Sequence, residues 1–284
     1  MAAPPPQDKR QEVRPALGIG WFSTGRDQAA RELLATVQEA IVRRELSARI
    51  TFVFCHREPG EDAESDRFLE LVHSYRLPLV TLSSRRFWGR PIPPTPQARE
   101  DYDRQVIDRL SGFRPGICLL AGYMLIASPL LCHRFNMINL HPAAPGGPKG
   151  TWQEVTHQLI EQRAQATGVM MHLVTPELDQ GPPVAYCRFS LRGGAFDPLW
   201  AGAAGQTVAH LKSSQGETHP LFRLIRQEGL RREFPLILAT IRLLAQGGVR
   251  IEGGRAVDGE GRPIPGYDLT REVEQALTRS DHAG

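Results

Sequence analysis

The chain of 284 residues is predicted to adopt an α/β fold: a doubly wound, Rossmann-like, mostly parallel sheet with helices on both faces. Two observations predict it. Short apolar runs alternate with helical stretches from about residue 15 onward, as in a chain that crosses from strand to helix and back. The runs are almost continuously apolar, which is typical of strands buried on both faces. Ligands of such sheets bind beyond the carboxyl ends of the strands, so we expect the functional residues there.

The elements follow in order along the chain. The first strand is predicted at 16–23 and the first helix at 27–46, which carries its apolar residues on one side. Two glycines, Gly253 and Gly254, mark the turn of a hairpin at 249–257. The other predicted strands are 48–56, 78–83, 116–122, 137–142 and 168–175, and the other predicted helices are 61–76, 98–110 and 233–248.

Three segments do not fit this alternation. Residues 1–14 have the composition of a disordered tail. Residues 83–97 are rich in proline, arginine and aromatic residues, and residues 190–230 are long and weakly patterned. Because long loops in compact domains tend to be functional or mobile, we expect 83–97 and 190–230 to be insertions that cover the substrate.

Charge and cysteine content exclude several classes of protein. With 34 basic and 31 acidic residues the net charge is +3, which leaves no excess of cations for a nucleic-acid partner. The apolar stretch 116–132 is shorter than the roughly 20 residues of a membrane span, and the amino terminus lacks the apolar centre of a secretory signal. Four dispersed cysteines form neither a disulfide framework nor a zinc motif. A cytoplasmic protein without a metal or membrane partner is expected.

Two strand ends carry candidate chemistry. In MINLHP at 137–142, alternation along the strand places Asn139 and His141 on the same face. Taken alone, this pattern more often indicates a hydrogen-bonded structural histidine. A second buried strand, however, runs into a turn with Glu177 and Asp179, so that a carboxylate from this turn can face the imidazole. Together the two segments favour a site.

Asparagine, histidine and aspartate suit acyl or formyl transfer to an amine. Attack on a formyl carbonyl produces an oxyanion, which an asparagine amide and an imidazolium can stabilise. Histidine also titrates in the range needed to move a proton between two nitrogens, and a neighbouring aspartate orients its ring and raises its pKa. Such a reaction needs no serine or cysteine nucleophile.

Five segments resemble the glycinamide ribonucleotide formyltransferase family, which uses 10-formyltetrahydrofolate. They occur in the family's order over most of 16–267, and the combination of NLHP with HLVTPELDQGP is specific. The resemblance implies a formyltransferase domain over 15–284. The segments are LAGYMLIASP (120–129), INLHPA (138–143), TGVMMHLVTPELDQGP (167–182), REDYDRQVI (99–107) and FPLI with DGEGRPIPGY (234–267).

The resemblance also implies roles for individual residues. Asn139, His141 and Asp179 correspond to the catalytic trio, and no metal is expected. 10-Formyltetrahydrofolate is the implied cosubstrate, and the implied partners are folate and a small amine. The residues implied to contact folate are Met124, Leu125, Ala127, Cys132, Thr175, Glu177 and Leu178, and those implied to bind the acceptor are Ser23, Thr24, Gly25, Arg26, Gly122, Leu140 and Arg231.

The sequence departs from the family where the acceptor is held. The family has a glycine-rich SGNGSN turn that holds a phosphate at a helix N-terminus, whereas this chain has STGRDQ at 23–28. Arg26 is able to replace lost contacts, but Asp27 places a negative charge where the phosphate would lie. Arg231 or Arg232 stands where the family has a glutamate for the substrate's amine, although Glu228 and Glu233 are close to that position. The loop at 143–155, with Lys149 and Trp152, is also unlike that of the purine enzyme.

Alternative functions use the same trio. A formyltetrahydrofolate hydrolase is one, although the deformylases have a regulatory domain before the catalytic one and only about fifteen residues precede the first strand here. A sugar-nucleotide N-formyltransferase stays open, and methionyl-tRNA formylation is disfavoured by the low net charge. A non-catalytic folate-binding protein is disfavoured by the intact trio. The acceptor and the oligomeric state are left undetermined by the sequence.

Overall fold

The computed structural model describes residues 15–89, 95–205 and 216–281, and within them the chain forms a large central sheet and a separate hairpin. The predicted tail at 1–14 and parts of both predicted insertions lie outside the described residues. The strands of the central sheet are β1 (Leu17–Ser23), β2 (Ala48–Cys55), β3 (Leu79–Thr81), β4 (Ile117–Leu120), β5 (Met137–His141), β6 (Ala166–Leu173), β7 (Pro183–Ser190) and β10 (Tyr267–Asp268). The hairpin consists of β8 (Val249–Glu252) and β9 (Arg255–Asp258).

The central sheet has the strand order β10-β7-β6-β5-β4-β1-β2-β3. Strands β1 to β5 pair in parallel, as predicted, and the pairing of β10 with β7 is also parallel. β6 runs antiparallel to both of its neighbours. The prediction of a mostly parallel, Rossmann-like sheet is therefore confirmed, with one reversed strand beside β5.

Helices cover both faces of the sheet. Alternate residues of β1 show the two layers, because Ile19 and Trp21 pack into one apolar cluster and Phe22 into the other. Helices α1, α2, α8 and α9 contribute to the first cluster, and α4 and α5 to the second. The helices are α1 (Gln28–Val42), α2 (Ala63–Ser74), α3 (Ser84–Trp88), α4 (Pro96–Arg109), α5 (Pro129–Arg134), α6 (Trp152–Glu161), α7 (Phe196–Gly202), α8 (Pro220–Gln246) and α9 (Thr270–Asp281).

The structure departs from the predicted elements mainly around α8. The pattern predicts a helix over 233–248, but α8 begins at Pro220 and continues through Pro235. Proline inside a helix removes a hydrogen bond, so the sequence suggests a start near it. Burial overrides that preference: Phe222 and Ile225 pack before Pro235, and Leu236 and Ile237 pack after it. Part of the expected insertion at 190–230 is therefore helical.

Further elements were not predicted. β7, β10, α6, α7 and α9 are all absent from the predicted set, and α3 occupies part of the expected loop at 83–97. The hairpin predicted at 249–257 is confirmed, with Gly253 and Gly254 both at positive φ between β8 and β9. No helix in the described part of the chain is long and apolar enough to cross a membrane.

Candidate functional site

The site forms where β5 ends beside the reversed strand β6. Antiparallel pairing places Asn139 opposite His172 and His141 opposite Met170. The chain then leaves β6, makes the loop 174–182 and returns as β7, which brings Asp179 back toward β5. Asp179 has φ +52, a backbone conformation rare for a residue with a side chain. Such strain is found at sites where the surrounding structure holds the residue in place.

Tight packing holds the loop 174–182 in the position that brings Asp179 toward β5. A Cβ atom on Gly181 would lie 1.7 Å from the carbonyl oxygen of Leu173, so no larger residue fits there. The N–H of Leu173 donates to the carbonyl of Pro182 at 2.9 Å, which closes the loop. Asp179 therefore reaches the site from a closed β6–β7 hairpin loop, and its position follows from the reversal of β6.

Four polar side chains meet at this point: Asn139, His141, His172 and Asp179. The Asn139 Nδ2 atom lies 3.2 Å from His172 Nε2. Asp179 Oδ1 lies 3.6 Å from both His141 Nδ1 and His172 Nε2. The two imidazole rings are 5.8 Å apart and nearly perpendicular, at 85°. The predicted trio therefore comes together, and His172 joins it as a fourth member.

His141 is buried and held from both sides. Its Nε2 lies 2.9 Å from the carbonyl oxygen of Pro148, which can only accept, so the hydrogen of that contact is on Nε2. Burial lowers the pKa of His141 below its usual value, although the Pro148 carbonyl and the Asp179 carboxylate act to raise it. The aspartate therefore acts in the expected direction, but the loss of water around the ring has the larger effect and the net shift of the pKa is downward.

Asp179 remains a carboxylate in this environment. Burial acts to raise its pKa, but hydrogen bonding to His172 and to the backbone N–H of Gly150, together with the nearby His141, brings the pKa below the usual value. The Gly150 N–H donates to Asp179 Oδ2 at 2.9 Å. The carboxylate is therefore ionised at neutral pH and stabilises positive charge on either imidazole.

The four side chains lie in the wall of a cavity of about 350 Å³. Two further groups of lining residues have different character. The apolar wall, as we call it, consists of 122–127 and 174–178 and includes Met124 and Leu178, which are 40% and 50% exposed. The charged wall consists of Arg26, Asp27, Trp152, Glu154, Arg226 and Glu233.

Most residues expected to contact folate lie in the apolar wall. Cys132 is the exception: it packs, partly buried, against the cluster of α4 and α5 and lies outside the cavity lining. Of the residues expected to bind the acceptor, Gly122, Leu140 and Arg26 line the cavity. The folate contacts in the cavity wall are Met124, Leu125, Ala127, Thr175, Glu177 and Leu178.

The turn after β1 points inward rather than into the cavity. Ser23 and Thr24 are buried, and the N–H of Gly25 donates to Ser23 Oγ at 3.1 Å. Thr24 Oγ1 lies 2.7 Å from His56 Nε2 and accepts from the N–H of Met124 at 3.0 Å. The structure thus places Ser23, Thr24 and Gly25 behind the wall, because their polar atoms are used to connect β1 to β2 and to the loop after β4.

Arg231 also lies outside the cavity lining. It pairs with Glu228 at 3.3 Å, and Arg232 bonds Glu228 and Glu274 at 2.7 Å each. From this helix it is Arg226 and Glu233 that line the cavity, and they form a salt bridge of 2.5 Å. Arg226 also lies over the ring of Trp152, at 5.0 Å from its centroid. Lys149, by contrast, is exposed and outside the lining.

Sequence reasoning missed His172 and Arg226, and it noted Glu233 only as a residue close to the expected position of Arg231 or Arg232. His172 was accessible to it, because the alternation that selects Asn139 on β5 selects His172 within the HLVT motif of β6. Arg226 and Glu233 are seven residues apart, two turns of one helix, and therefore share a face. That signal is invisible when the helix is taken to begin at 233.

His141, His172 and Asp179 each present one ligand atom, and these atoms lie within 4.8 Å of one another. Imidazole nitrogens and a carboxylate oxygen are ligands that zinc accepts. These residues could therefore hold a divalent ion, and the expectation of a metal-free site stays a prediction.

Comparison with known proteins bears on this geometry. The sequence profile of the formyl transferase family matches residues 31–190. The phosphoribosylglycinamide formyltransferase of Escherichia coli K12 is 28% identical over 127 residues, 44% of this chain and 55% of that protein. The formyltetrahydrofolate deformylase of Escherichia coli O6:H1 is 30% identical over 91 residues, 30% of each. The chain thus matches only about half, or less, of the length of these relatives.

Solved structures share the fold. The phosphoribosylglycinamide formyltransferase of Coxiella burnetii superimposes with a TM-score of 0.63 at 15% identity, over 89% of this chain and 98% of that one. The similarity at this level of identity concerns the fold, a mostly parallel sheet with helices on both faces.

Proposed function

The chain belongs to the formyl transferase family, and on that premise we propose that it transfers a formyl group from 10-formyltetrahydrofolate to the amine of a small acceptor. The observation that carries the proposal is the meeting of Asn139, His141, His172 and Asp179 in the wall of one cavity. Phosphoribosylglycinamide, which the name of one relative specifies, is one candidate acceptor, and a related amine is another.

The apolar wall fits the pterin of the folate. Met124 and Leu178 expose apolar surface on the cavity side, and a flat heterocycle between such side chains is removed from water. The backbone of 175–179 can supply the donors and acceptors that a pterin edge requires. We infer that Met124, Leu125, Ala127, Thr175, Glu177 and Leu178 form the folate subsite, with Cys132 supporting it from behind.

The polar cluster can then perform the transfer. The acceptor nitrogen attacks the formyl carbon, and the amide of Asn139 donates to the oxygen that becomes negatively charged. His141 is neutral at pH 7 because its pKa is lowered, so it can take the proton that the attacking nitrogen loses. Asp179 stabilises the resulting imidazolium. Collapse of the intermediate breaks the bond to N10 of the folate, and His141 returns the proton to that nitrogen.

His172 acts through its neighbours. It contacts both Asn139 and Asp179, and its Nδ1 lies 2.8 Å from the carbonyl of Leu173. A carbonyl only accepts, so Nδ1 carries a hydrogen, and Nε2 faces Asn139 and Asp179. We assign His172 as a positioning residue that fixes the amide of Asn139.

The test is release of tetrahydrofolate from 10-formyltetrahydrofolate in the presence of a panel of amines. We expect release only when an acceptor is present, with one formylated amine formed per folate released. Release at the same rate with and without every amine would overturn the transferase proposal.

A formyltetrahydrofolate hydrolase is the second candidate, favoured by the similarity to a deformylase. The same four side chains would then activate a water molecule in place of the amine. Formate is the product that separates the two reactions, since a hydrolase forms it in step with tetrahydrofolate and a transferase does not.

A further inference from the structure

We propose that the acceptor of this site is an amine that carries no phosphate group and no net negative charge. This inference rests on the proposed formyl transfer and concerns its second substrate. The acceptor is inferred to lie against the charged wall, and the composition of that wall decides which charges it can hold.

Carboxylates dominate the lining of the cavity. Among the described residues, five acidic side chains line it and only two basic ones do, Arg26 and Arg226. Three of the acidic side chains and both basic ones belong to the charged wall, so this wall has an excess of one negative charge and the whole cavity an excess of three. Both disfavour a phosphate dianion and favour a cation, and the low polarity of a partly enclosed cavity strengthens these effects. The acidic residues are Asp27, Glu154, Glu177, Asp179 and Glu233.

Neither of the two arginines is left to bind an anion. Arg26 Nε lies 3.5 Å from Asp27 Oδ2, and Arg226 lies 2.5 Å from Glu233, which is only 7% exposed. A phosphate placed against Arg226 would also lie near the buried carboxylate of Glu233, which neutralises the guanidinium and repels a second anion.

The turn between β1 and α1 is filled by the protein's own side chains. Asp27 caps α1 by accepting from the N–H of Ala30 at 3.0 Å, so a carboxylate already occupies the place of an anion at this helix end. Ser23 Oγ accepts from Gly25, and Thr24 Oγ1 accepts from Met124 and contacts His56. The groups that could cradle a phosphate are therefore bonded internally.

The remaining surface suits a neutral or cationic amine. Trp152 belongs to the charged wall, and the guanidinium of Arg226 already lies 5.0 Å from its ring centroid. The carboxylates of the wall can attract an ammonium group through charge. The structure thus indicates an acceptor that is polar, small and at most positively charged.

A pair of acceptors that differ only in phosphate gives the first test. Glycinamide riboside and its 5′-phosphate are each supplied with 10-formyltetrahydrofolate, and kcat/KM is measured for both. We expect the phosphorylated amine to be the poorer substrate by at least about tenfold. An equal or better rate for the phosphorylated amine overturns the inference while leaving formyl transfer itself supported.

Asp27→Asn gives the second test, because asparagine keeps the helix cap but removes the charge. We expect calorimetric titration with inorganic phosphate to show no binding below about 10 mM in the unaltered protein. In D27N, affinity for phosphate should rise by about tenfold. Phosphate binding at submillimolar concentration in the unaltered protein contradicts the proposal.

Asp62→Asn is the matched control. Asp62 caps α2 in the same manner, accepting from the backbone of Glu64 and Ser65, but it is outside the cavity lining. D62N should leave phosphate affinity unchanged. If D62N and D27N raise it equally, phosphate is responding to overall charge and the assignment to the charged wall is wrong. Formate release without any amine, in contrast, counts against the proposed transferase and not against this charge argument.

Discussion

The apolar wall and the charged wall of the cavity differ in how they are built. The apolar wall comes from two short loops, each attached directly to a strand that borders β5. The charged wall combines the start of α1, the start of α6 and the middle of α8, three segments that are distant from one another in the sequence. The first wall keeps the motifs of the resembling family, and the second is where the sequence departs from them.

This difference indicates how such a site can change its acceptor while keeping its donor. Residues that hold the folate and perform the transfer are fixed by the register of neighbouring strands, where one change affects the whole sheet. Residues of the charged wall stand at helix starts and on one face of α8, where a replaced side chain leaves the register of the sheet unchanged. If the two walls act separately, a substitution in one wall should leave binding at the other unchanged.

The largest effect is expected from His141→Ala, which affects the step that joins the two walls. Loss of the proton acceptor should reduce kcat by roughly 10³-fold, within the range for general acid–base catalysis. Affinity for folate should change little, because the apolar wall is intact. A turnover assay measures kcat, and equilibrium titration with folate measures the affinity. Activity close to that of the unaltered protein would show that the assigned mechanism is wrong.

Acid should weaken the contacts that His56 makes with Thr24 and Ser84 behind the cavity wall. Burial, followed by Arg57, lowers the pKa of His56 from 6.5 to about 4. Because the pKa is lowered in the folded protein, His56 binds a proton more readily in the unfolded chain. Its contribution to the free energy of unfolding is therefore fully present above pH 6.5 and is lost as the pH falls toward 4. His56 alone should reduce the free energy of unfolding by about 3 kcal/mol between pH 7 and pH 4.

Urea denaturation at pH 7 and pH 4 measures this loss. In H56N the loss of free energy of unfolding between pH 7 and pH 4 should be smaller than in the unaltered protein. In H133N, which changes an exposed histidine, this loss should stay the same. An identical pH dependence in H56N and H133N contradicts the assignment of acid sensitivity to the contacts of His56 with Thr24 and Ser84.

Glu233→Gln should affect the charged wall alone. Removing the carboxylate leaves Arg226 without its 2.5 Å partner and changes the charge that the acceptor meets. We expect KM for the amine to rise about tenfold, which corresponds to about 1.4 kcal/mol, with KM for folate unchanged. Glu228→Gln, on the same helix but outside the cavity lining, is the control. A parallel rise in both KM values means that the walls are coupled.

Met124→Ala is the counterpart in the apolar wall and the smallest effect. Truncation removes apolar surface that we infer to cover the pterin, so KM for folate should rise roughly fivefold, about 1 kcal/mol. KM for the amine should stay the same. Val42→Ala truncates another exposed apolar residue, 70% exposed and distant in sequence, and should change neither. An unchanged folate KM in M124A removes Met124 from the folate subsite.

Prediction from sequence succeeded for elements whose structure is set by their own local pattern of apolar and polar residues. The parallel strands β1 to β5 were predicted because each is a short apolar run, and Asn139 and His141 were selected because strand alternation places them on one face. α8 was predicted only in part, since its first half is weakly patterned and Pro235 lies near the expected start. Arg226 was missed for that reason, and Glu233 was noted only as close to Arg231 and Arg232.

The sequence by itself determined the fold class, the positions of β1 to β5 and the two segments that carry the polar trio, because these depend on local apolar patterning and motif chemistry. Tertiary structure decided that β6 is reversed, that His172 joins Asn139 and Asp179, and that burial lowers the pKa of His141 despite the carboxylate beside it. It also decided that Ser23 and Thr24 point inward while Arg226 faces the cavity. Strand direction, burial and the partner of a polar group are properties of packing between distant segments, and no local pattern specifies them.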